Sequence, residues 1–324
     1  MSISVIIPIN NTASYLRQCL DSVLVTNQFT GEVICVNDGS TDESGTILED
    51  YKSRYSNLQI INLPTCQGPS VARNYGLNNA HGDYIYFLDS DDFLFPNALD
   101  TMTSVFQESI DVLHFNALKN GVESYYPLEI ITDNVTTGFQ FVREFRKQIG
   151  YAYVVPVWMY CYKRSFLIEN NLYFKEGFLH EDEDFTAKVL CVAHRIKHVN
   201  QPLLHHRVMR EGAITSIITS KLINDLLIIC KDLDEYYSQM NVLGEMKEYL
   251  FDLCLYTQCC AEDHGIKYEE EIPSKLLLHN AHNPFQRRTA MVYAFSKQMA
   301  LRYFQGRLID VQRRWLNRIL FFVK

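Results

Sequence analysis

The chain has 324 residues, 47% hydrophobic and 21% charged, with a formal net charge of −8. That length suits about two domains of roughly 150 residues, or one large domain with an appendage. The composition excludes a disordered tail, a collagen-like chain and a coiled-coil rod, and the acidic balance argues against bulk nucleic-acid binding.

Residues 3–9 (ISVIIPI) form a short apolar run rich in β-branched residues and read as a first strand. Tyr15, Leu16, Cys19, Leu20, Val23 and Leu24 then recur at helical spacing. EVICV (32–36) reads as a second strand, Ile47, Leu48, Tyr51 and Tyr55 as a helix, and LQIINL (58–63) as a third strand. Residues 70–80 read as helix, 83–89 as a fourth strand, 98–109 as helix and 111–116 as a fifth strand. This alternation predicts an α/β fold with a mostly parallel sheet flanked by helices, in which ligands sit beyond the carboxyl ends of the strands. Residues 117–220 are less regular, with a helix-like TAKVLCVA (186–193) and a strand-like 196–208; from about 220 onward Leu222, Leu226, Ile229, Leu233 and Tyr236 repeat helically. A soft boundary is expected near 220.

The nine scattered cysteines show no CxxC or zinc-like spacing, which fits a reduced, cytoplasmic setting. MSISVIIPI lacks a basic n-region and a small-residue cleavage site, and no apolar stretch approaches the ~18 residues of a membrane span.

Three strand ends carry carboxylates. In FLDSDD (87–92), Asp89 and Asp91 are two residues apart and share one side if the strand stays extended. They are either ligands for a hard divalent cation or turn formers that cap a helix starting near Pro96. In VNDGSTD (36–42), Gly39 permits a tight turn and Ser40, Thr41 or Asp42 can cap the next helix. Asp38, directly after an apolar strand, either belongs to that turn or accepts an N–H from a flat base edge such as uracil N3–H. HEDEDF (180–185) is either a solvated helix start or the source of a general base for an attacking hydroxyl. The chain has no GxGxxG after its first strand, no GxxxxGK[ST] and no GxSxG, so NAD-type, P-loop and α/β-hydrolase sites are not expected.

In order and spacing, SVIIPINN (4–11), VNDGSTD (36–42), GPSVARNYGL (68–77), GDYIYFLDSDD (82–92), VWMYCYKRSFLIENNLYF (157–174), HEDEDF (180–185) and HHRVMREGAITS (205–216) resemble the family 2 glycosyltransferases. The resemblance covers about residues 2–216. It implies a GT-A type, Rossmann-like fold, with 1–116 as the nucleotide-sugar-binding half, 117–220 as the acceptor-binding part of the same domain and 221–324 as a helical extension. It further implies Pro8 and Asp38 in the nucleotide pocket, with Asp38 facing uracil, and Arg73 near the base or diphosphate. Asp89 would hold the ribose and join the metal shell, and Asp91 would be the main ligand of Mg²⁺ or Mn²⁺. Asp182 would be the catalytic base with Glu181 beside it. His206 would join the metal shell or, with Arg207, hold the diphosphate; Trp158 would pack at the acceptor side or in the core. Asn10, Asn37 and Ala213 depart from the family's usual residues, whereas Thr215 is retained. Gln312-Arg313-Arg314-Trp315 is one residue short of the Q-x-x-R-W motif of processive members, so one sugar per encounter is expected.

The implied reaction is an inverting transfer from a nucleotide diphosphate sugar, UDP-sugar above others, to a hydroxyl of a glycan or polyprenyl-linked acceptor in bacterial surface polysaccharide assembly. The alternatives are a non-catalytic nucleotide-sugar-binding module and a sugar-1-phosphate nucleotidyltransferase; the latter carries a Gly-rich basic loop where this chain has INNTASYLRQ. Finally, Leu308, Val311, Trp315, Ile319 and Phe322 share one helical face within 302–324, a segment of local charge +5. Such a basic amphipathic helix either lies on the inner face of the plasma membrane or packs on the core or a partner subunit.

Overall fold

The computed structural model describes residues 1–120, 123–124, 134–149, 155–208, 218–242, 244–268, 274–297 and 300–301. The expectations attached to Ala213, Thr215, Gln312–Trp315 and the 302–324 helix lie outside them. The elements are β1 (Ile3–Ile9), α1 (Ala13–Asp21), β2 (Glu32–Asp38), α2 (Ser44–Arg54), β3 (Leu58–Leu63), α3 (Pro69–Asn79), β4 (Tyr84–Phe87), β5 (Phe93–Leu94), α4 (Ala98–Val105), β6 (Val112–Lys119), β7 (Glu123–Ser124), α5 (Gly138–Ile149), β8 (Tyr160–Lys163), α6 (Arg164–Glu169), α7 (Glu181–Val192), β9 (Ile196–His206), α8 (Ser220–Gln239), α9 (Glu245–Asp263), α10 (Ser274–Asn280) and α11 (Pro284–Phe295).

One sheet carries the strands in the order β3-β2-β1-β4-β8-β6-β9-β5, with β7 paired to β6. The half from β3 to β4 is parallel, as the alternating pattern predicts. β1 and β4 are buried almost throughout, which is why they read as continuous apolar runs. β3 lies at the edge and exposes part of its length. Beyond β4 the sheet is mixed: β8 pairs antiparallel with both β4 and β6, β6 runs parallel to β9, and β5 is antiparallel to β9. The fifth strand of the sequence reading is therefore not a neighbour of the fourth. The four-residue β8 stands between them, inside a stretch whose local pattern is irregular.

The parallel half sets the position of the site. Its strands end together, and α3 packs on β1 and β2 over Gly76. A Cβ at Gly76 would lie 2.3 Å from Ile6 Cγ2, so only glycine lets α3 sit this close to the sheet. The core is continuous from these strands into α8 and α9. All nine cysteines are free, and Cys66 is the exposed one. Among the described residues, no helix is long and apolar enough to cross a membrane.

Overpacking costs about 1–3 kcal/mol, more than the ~1 kcal/mol alanine gains over glycine in a helix. Gly76→Ala is therefore expected to lower the urea midpoint of unfolding; an unchanged or raised midpoint would show that α3 can shift without cost.

Candidate active site

Asp38 ends β2 and is buried at 2% exposure. Its carboxylate accepts the backbone N–H groups of Gln67 (2.7 Å) and Gly68 (2.8 Å), and the Cys66 thiol lies 3.5 Å away. Asn10 donates to the Asp38 carbonyl at 2.6 Å. The turn needs glycine at position 39: φ is +62°, and a Cβ would lie 2.4 Å from the Cys66 nitrogen. Sequence reasoning set Asp38 before a base and missed the 66–68 loop folded onto it. Among the described residues Gln67 is the one donor bound to Oδ1, and a carboxylate oxygen can accept a second hydrogen bond. Pro8 lies half-buried on β1, opposite Val36 of β2.

Arg73 comes from α3 and is 4% exposed. Its guanidinium donates to Asp89 at 2.9 Å and to Glu181 at 2.5 Å, lies 3.8 Å from Asp182, and rests on the Phe174 ring. Burial opposes its charge, but Asp89, Asp182 and Glu181 together raise its pKa above the ordinary arginine value. The residue assigned above to the base or diphosphate thus has its head engaged by carboxylates, joining the end of β4 to the start of α7.

β4 stops at Phe87, and the chain turns through 89–92 with the Asp92 N–H bonded to the Asp89 carbonyl at 3.0 Å. The extended geometry expected for Asp89 and Asp91 is therefore absent. The turn brings the two together by another route and adds Asp92, which sequence reasoning missed. One carboxylate oxygen from each of Asp89, Asp91 and Asp92 lies within 4.8 Å of the others. The helix-capping alternative fails, because α4 begins at Ala98 behind Asn97. Asp92 is 1% exposed; its Oδ1 accepts the Arg207 N–H at 2.7 Å, and its Oδ2 accepts no hydrogen bond among the described residues. Burial, reinforced by Asp91 and Asp89, pushes its carboxyl well above the usual range. A hard divalent cation fits this set: three oxygen donors converge, and one buried oxygen has no hydrogen-bond partner among the described residues.

Arg207 follows β9 and is bound to that turn. Its Nε donates to the Asp91 carbonyl (2.9 Å), its guanidinium to Gln18 (2.8 Å), and Tyr15 lies beneath it. His206 stacks on Trp158 with ring centroids 4.6 Å apart. Burial lowers the His206 pKa to about 4, opposed by Asp89 and aided by Lys119 and His205. His206 is not one of the three converging donors. Trp158 is 4% exposed, and its carbonyl accepts the Tyr86 hydroxyl, so it packs as core.

The acidic run opens α7 and is not a solvated face. Glu181, Glu183 and Asp184 are buried, and each has its own partner: Arg73, the Tyr249 hydroxyl and Lys188. Asp182 is the more exposed of the Glu-Asp pair, at 22% against 10% for the side chains. Its Oδ2 accepts the Val157 N–H at 3.4 Å, and its Oδ1 accepts no hydrogen bond among the described residues. Burial and then Glu181 push its carboxyl well up, with Arg73 opposing and Asp89 adding to the rise. When ionised it is a stronger base than an ordinary carboxylate, and its Oδ1, 3.8 Å from the Arg73 guanidinium, is engaged there by charge rather than by a hydrogen bond.

Burial also raises Glu183 from 4.5 to about 7, with the Tyr249 hydrogen bond opposing. The folded chain therefore holds this proton more tightly than the unfolded chain, and the resulting stability is lost as pH rises from 4.5 through about 7. Glu183→Gln is expected to gain stability relative to the parent across that window and to hold the gain at pH 8. Urea midpoints at pH 5 and pH 8 check this; a constant difference would mean Glu183 does not titrate there.

The sequence model of glycosyl transferase family 2 matches residues 4–168. Glycosyltransferase GlyA of Streptococcus pneumoniae serotype 4 is 31% identical over 240 residues, 69% of this chain and 33% of that protein. The poly(ribitol-phosphate) beta-glucosyltransferase of Bacillus spizizenii is 41% identical over 104 residues, 31% of this chain and 16% of that protein. The chain thus spans a third or less of the length of these two relatives. Among solved structures, S. aureus TarS 1-349 in complex with UDP-GlcNAc has a TM-score of 0.66 at 21% identity, covering 94% of this chain and 89% of that one. The shared fold is of GT-A type.

Proposed function

The chain belongs to glycosyl transferase family 2, and from that premise we propose that it is a divalent-metal-dependent, inverting glycosyltransferase using a nucleotide diphosphate sugar. The observation that carries this reading is the convergence of Asp89, Asp91 and Asp92 beside the Arg73–Glu181–Asp182 cluster. Asp91 and Asp89, with Asp92, would hold Mg²⁺ or Mn²⁺. The bound ion would neutralise charge developing on the departing diphosphate.

Asp182 accepts the proton of an acceptor hydroxyl as its oxygen attacks the anomeric carbon. The bond from that carbon to the diphosphate oxygen breaks, and the nucleoside diphosphate leaves with the electron pair. A single displacement inverts the anomeric centre. Glu181, held by Arg73, fixes the turn that presents Asp182. Asp38 and Pro8 line the base side, where Oδ1 of Asp38 can accept a uracil N3–H. UDP-sugar is the favoured donor, consistent with the UDP-GlcNAc complex of the structural neighbour. The acceptor is a hydroxyl of a glycan or polyprenyl-linked intermediate in bacterial surface-polymer assembly, as the names of relatives such as the poly(ribitol-phosphate) beta-glucosyltransferase and a minor teichoic acid biosynthesis protein suggest. In this reading residues 117–220 serve the acceptor, with His206 and Arg207 bordering the site and Trp158 packed behind His206. The 302–324 segment would contact the inner membrane face.

Asp182→Asn is expected to cut turnover about 10²–10⁴-fold with little change in UDP affinity. Asp91→Ala should abolish Mn²⁺-dependent UDP binding. The measurements are UDP release from a panel of UDP-sugars, and the Mn²⁺-dependent melting shift that UDP produces. A saturating ligand at 100 times its Kd stabilises by about 2.7 kcal/mol. Near-parental turnover in Asp182→Asn would exclude it as the base; UDP binding unaffected by EDTA would exclude the metal.

A further inference from the structure

We propose that Asp225 of α8 and Tyr249 of α9 are positioning residues that set the first turn of α7, so that the C-terminal helices complete the reaction geometry without contributing a group to it. This rests on Asp182 acting as the base.

The residue that leads into α7 adopts a conformation that local sequence does not favour. His180 is a non-glycine residue in the left-handed region (φ +59°), whereas Gly177 takes its φ of +82° freely. Backbone of this kind persists where surrounding contacts over-determine it. Those contacts come from α8: the Asp225 carboxylate accepts the Leu179 N–H at 2.8 Å, and Lys221 bridges Asp225 and the Gly177 carbonyl at 2.7 Å each. From α3, Asn74 brackets Phe174, donating to its carbonyl and accepting its N–H, both at 2.9 Å.

The helix itself is held from three directions. Glu181 is bound by Arg73 of α3, Asp182 by the Val157 N–H ahead of β8, and Glu183 by the Tyr249 hydroxyl, 3.0 and 2.9 Å from its two oxygens. Successive residues of a helix point about 100° apart, so three consecutive side chains bound to three separate elements resist rotation about the helix axis. Tyr249 and Glu183 are 5% and 6% exposed, so water offers this bond little competition. Removing Tyr249's hydroxyl opens one side of the arrangement, and removing Asp225's carboxylate frees the segment before His180.

The test uses the full chain and four variants: Tyr249→Phe and Asp225→Leu, which lose the contacts, and Asp225→Asn and Glu183→Gln, which keep an acceptor oxygen. Two readings are taken: hydrogen exchange of the 179–185 amides, which needs no substrate, and kcat for UDP-sugar turnover beside Mn²⁺–UDP affinity. Tyr249→Phe and Asp225→Leu should exchange faster in that turn than elsewhere and lose about tenfold or more in kcat at unchanged UDP affinity. Asp225→Asn and Glu183→Gln should keep the parental pattern. Unaltered exchange at 179–185 in folded Tyr249→Phe, or a lowered melting point with unchanged kcat, overturns the proposal. Should Tyr249→Phe not fold, the contrast between Asp225→Leu and Asp225→Asn decides. Altered exchange together with full activity in Asp182→Asn would mean that the base assignment fails while the positioning role stands.

Discussion

Asp89, Asp91, Asp92, Glu181 and Asp182 gather where the parallel strands end, and the buried cations among them are few. Arg73 is the group that makes this tolerable. Its guanidinium is almost fully enclosed and bonded to Asp89 and Glu181. Carboxylates removed from water repel one another strongly at short range, and a buried charge left unpaired is among the costliest features a fold can carry. Arg73 pairs with one carboxylate from the β4 end and one from the α7 start, so it ties the two acidic segments of the site together.

What Arg73 does not neutralise defines the chemistry. Arg207 bonds Asp92 through its backbone and Asp91 through that residue's carbonyl, and among the described residues the Asp92 Oδ2 is left without a hydrogen bond. The turn at 89–92 thus has an excess of negative charge and of oxygen donors, the arrangement a hard cation satisfies. On the other side of Arg73, Asp182 is left more exposed than its neighbour Glu181, and burial holds the Asp182 carboxyl well above the usual range. One guanidinium thereby separates two carboxylate environments suited to different roles, in line with the general observation that neighbouring acids diverge when their surroundings differ.

The second half of the chain is joined to this centre more closely than a boundary near residue 220 suggests. α8 begins at that point, but Asp225, Lys221 and Tyr249 all bond the segment entering or opening α7. The hydrophobic core likewise runs from the sheet into α8 and α9.

The first four strands and their helices were legible in the sequence because each is a local pattern: a buried parallel strand is a continuous apolar run, and a helix repeats at its own period. Asp38 and Asp89 stand at or just past the ends of β2 and β4, where the strand reading puts them, whereas the HEDEDF run read as a third strand end opens the helix α7 instead. Local pattern could not show that β8 separates β4 from β6, that Asp92 joins Asp89 and Asp91, or that Cys66–Gly68 folds onto Asp38. Nor could it show that the head of Arg73 belongs to Glu181, 108 residues away. Strand order, the turn at 89–92 and the partners of buried charges are settled by packing between distant segments, and periodicity carries no record of which segments those are. The sequence by itself determined the kinds of element and the chemical groups at their ends; the tertiary structure alone decided which groups meet, because the cost of a buried unpaired charge is set by neighbours that only folding supplies.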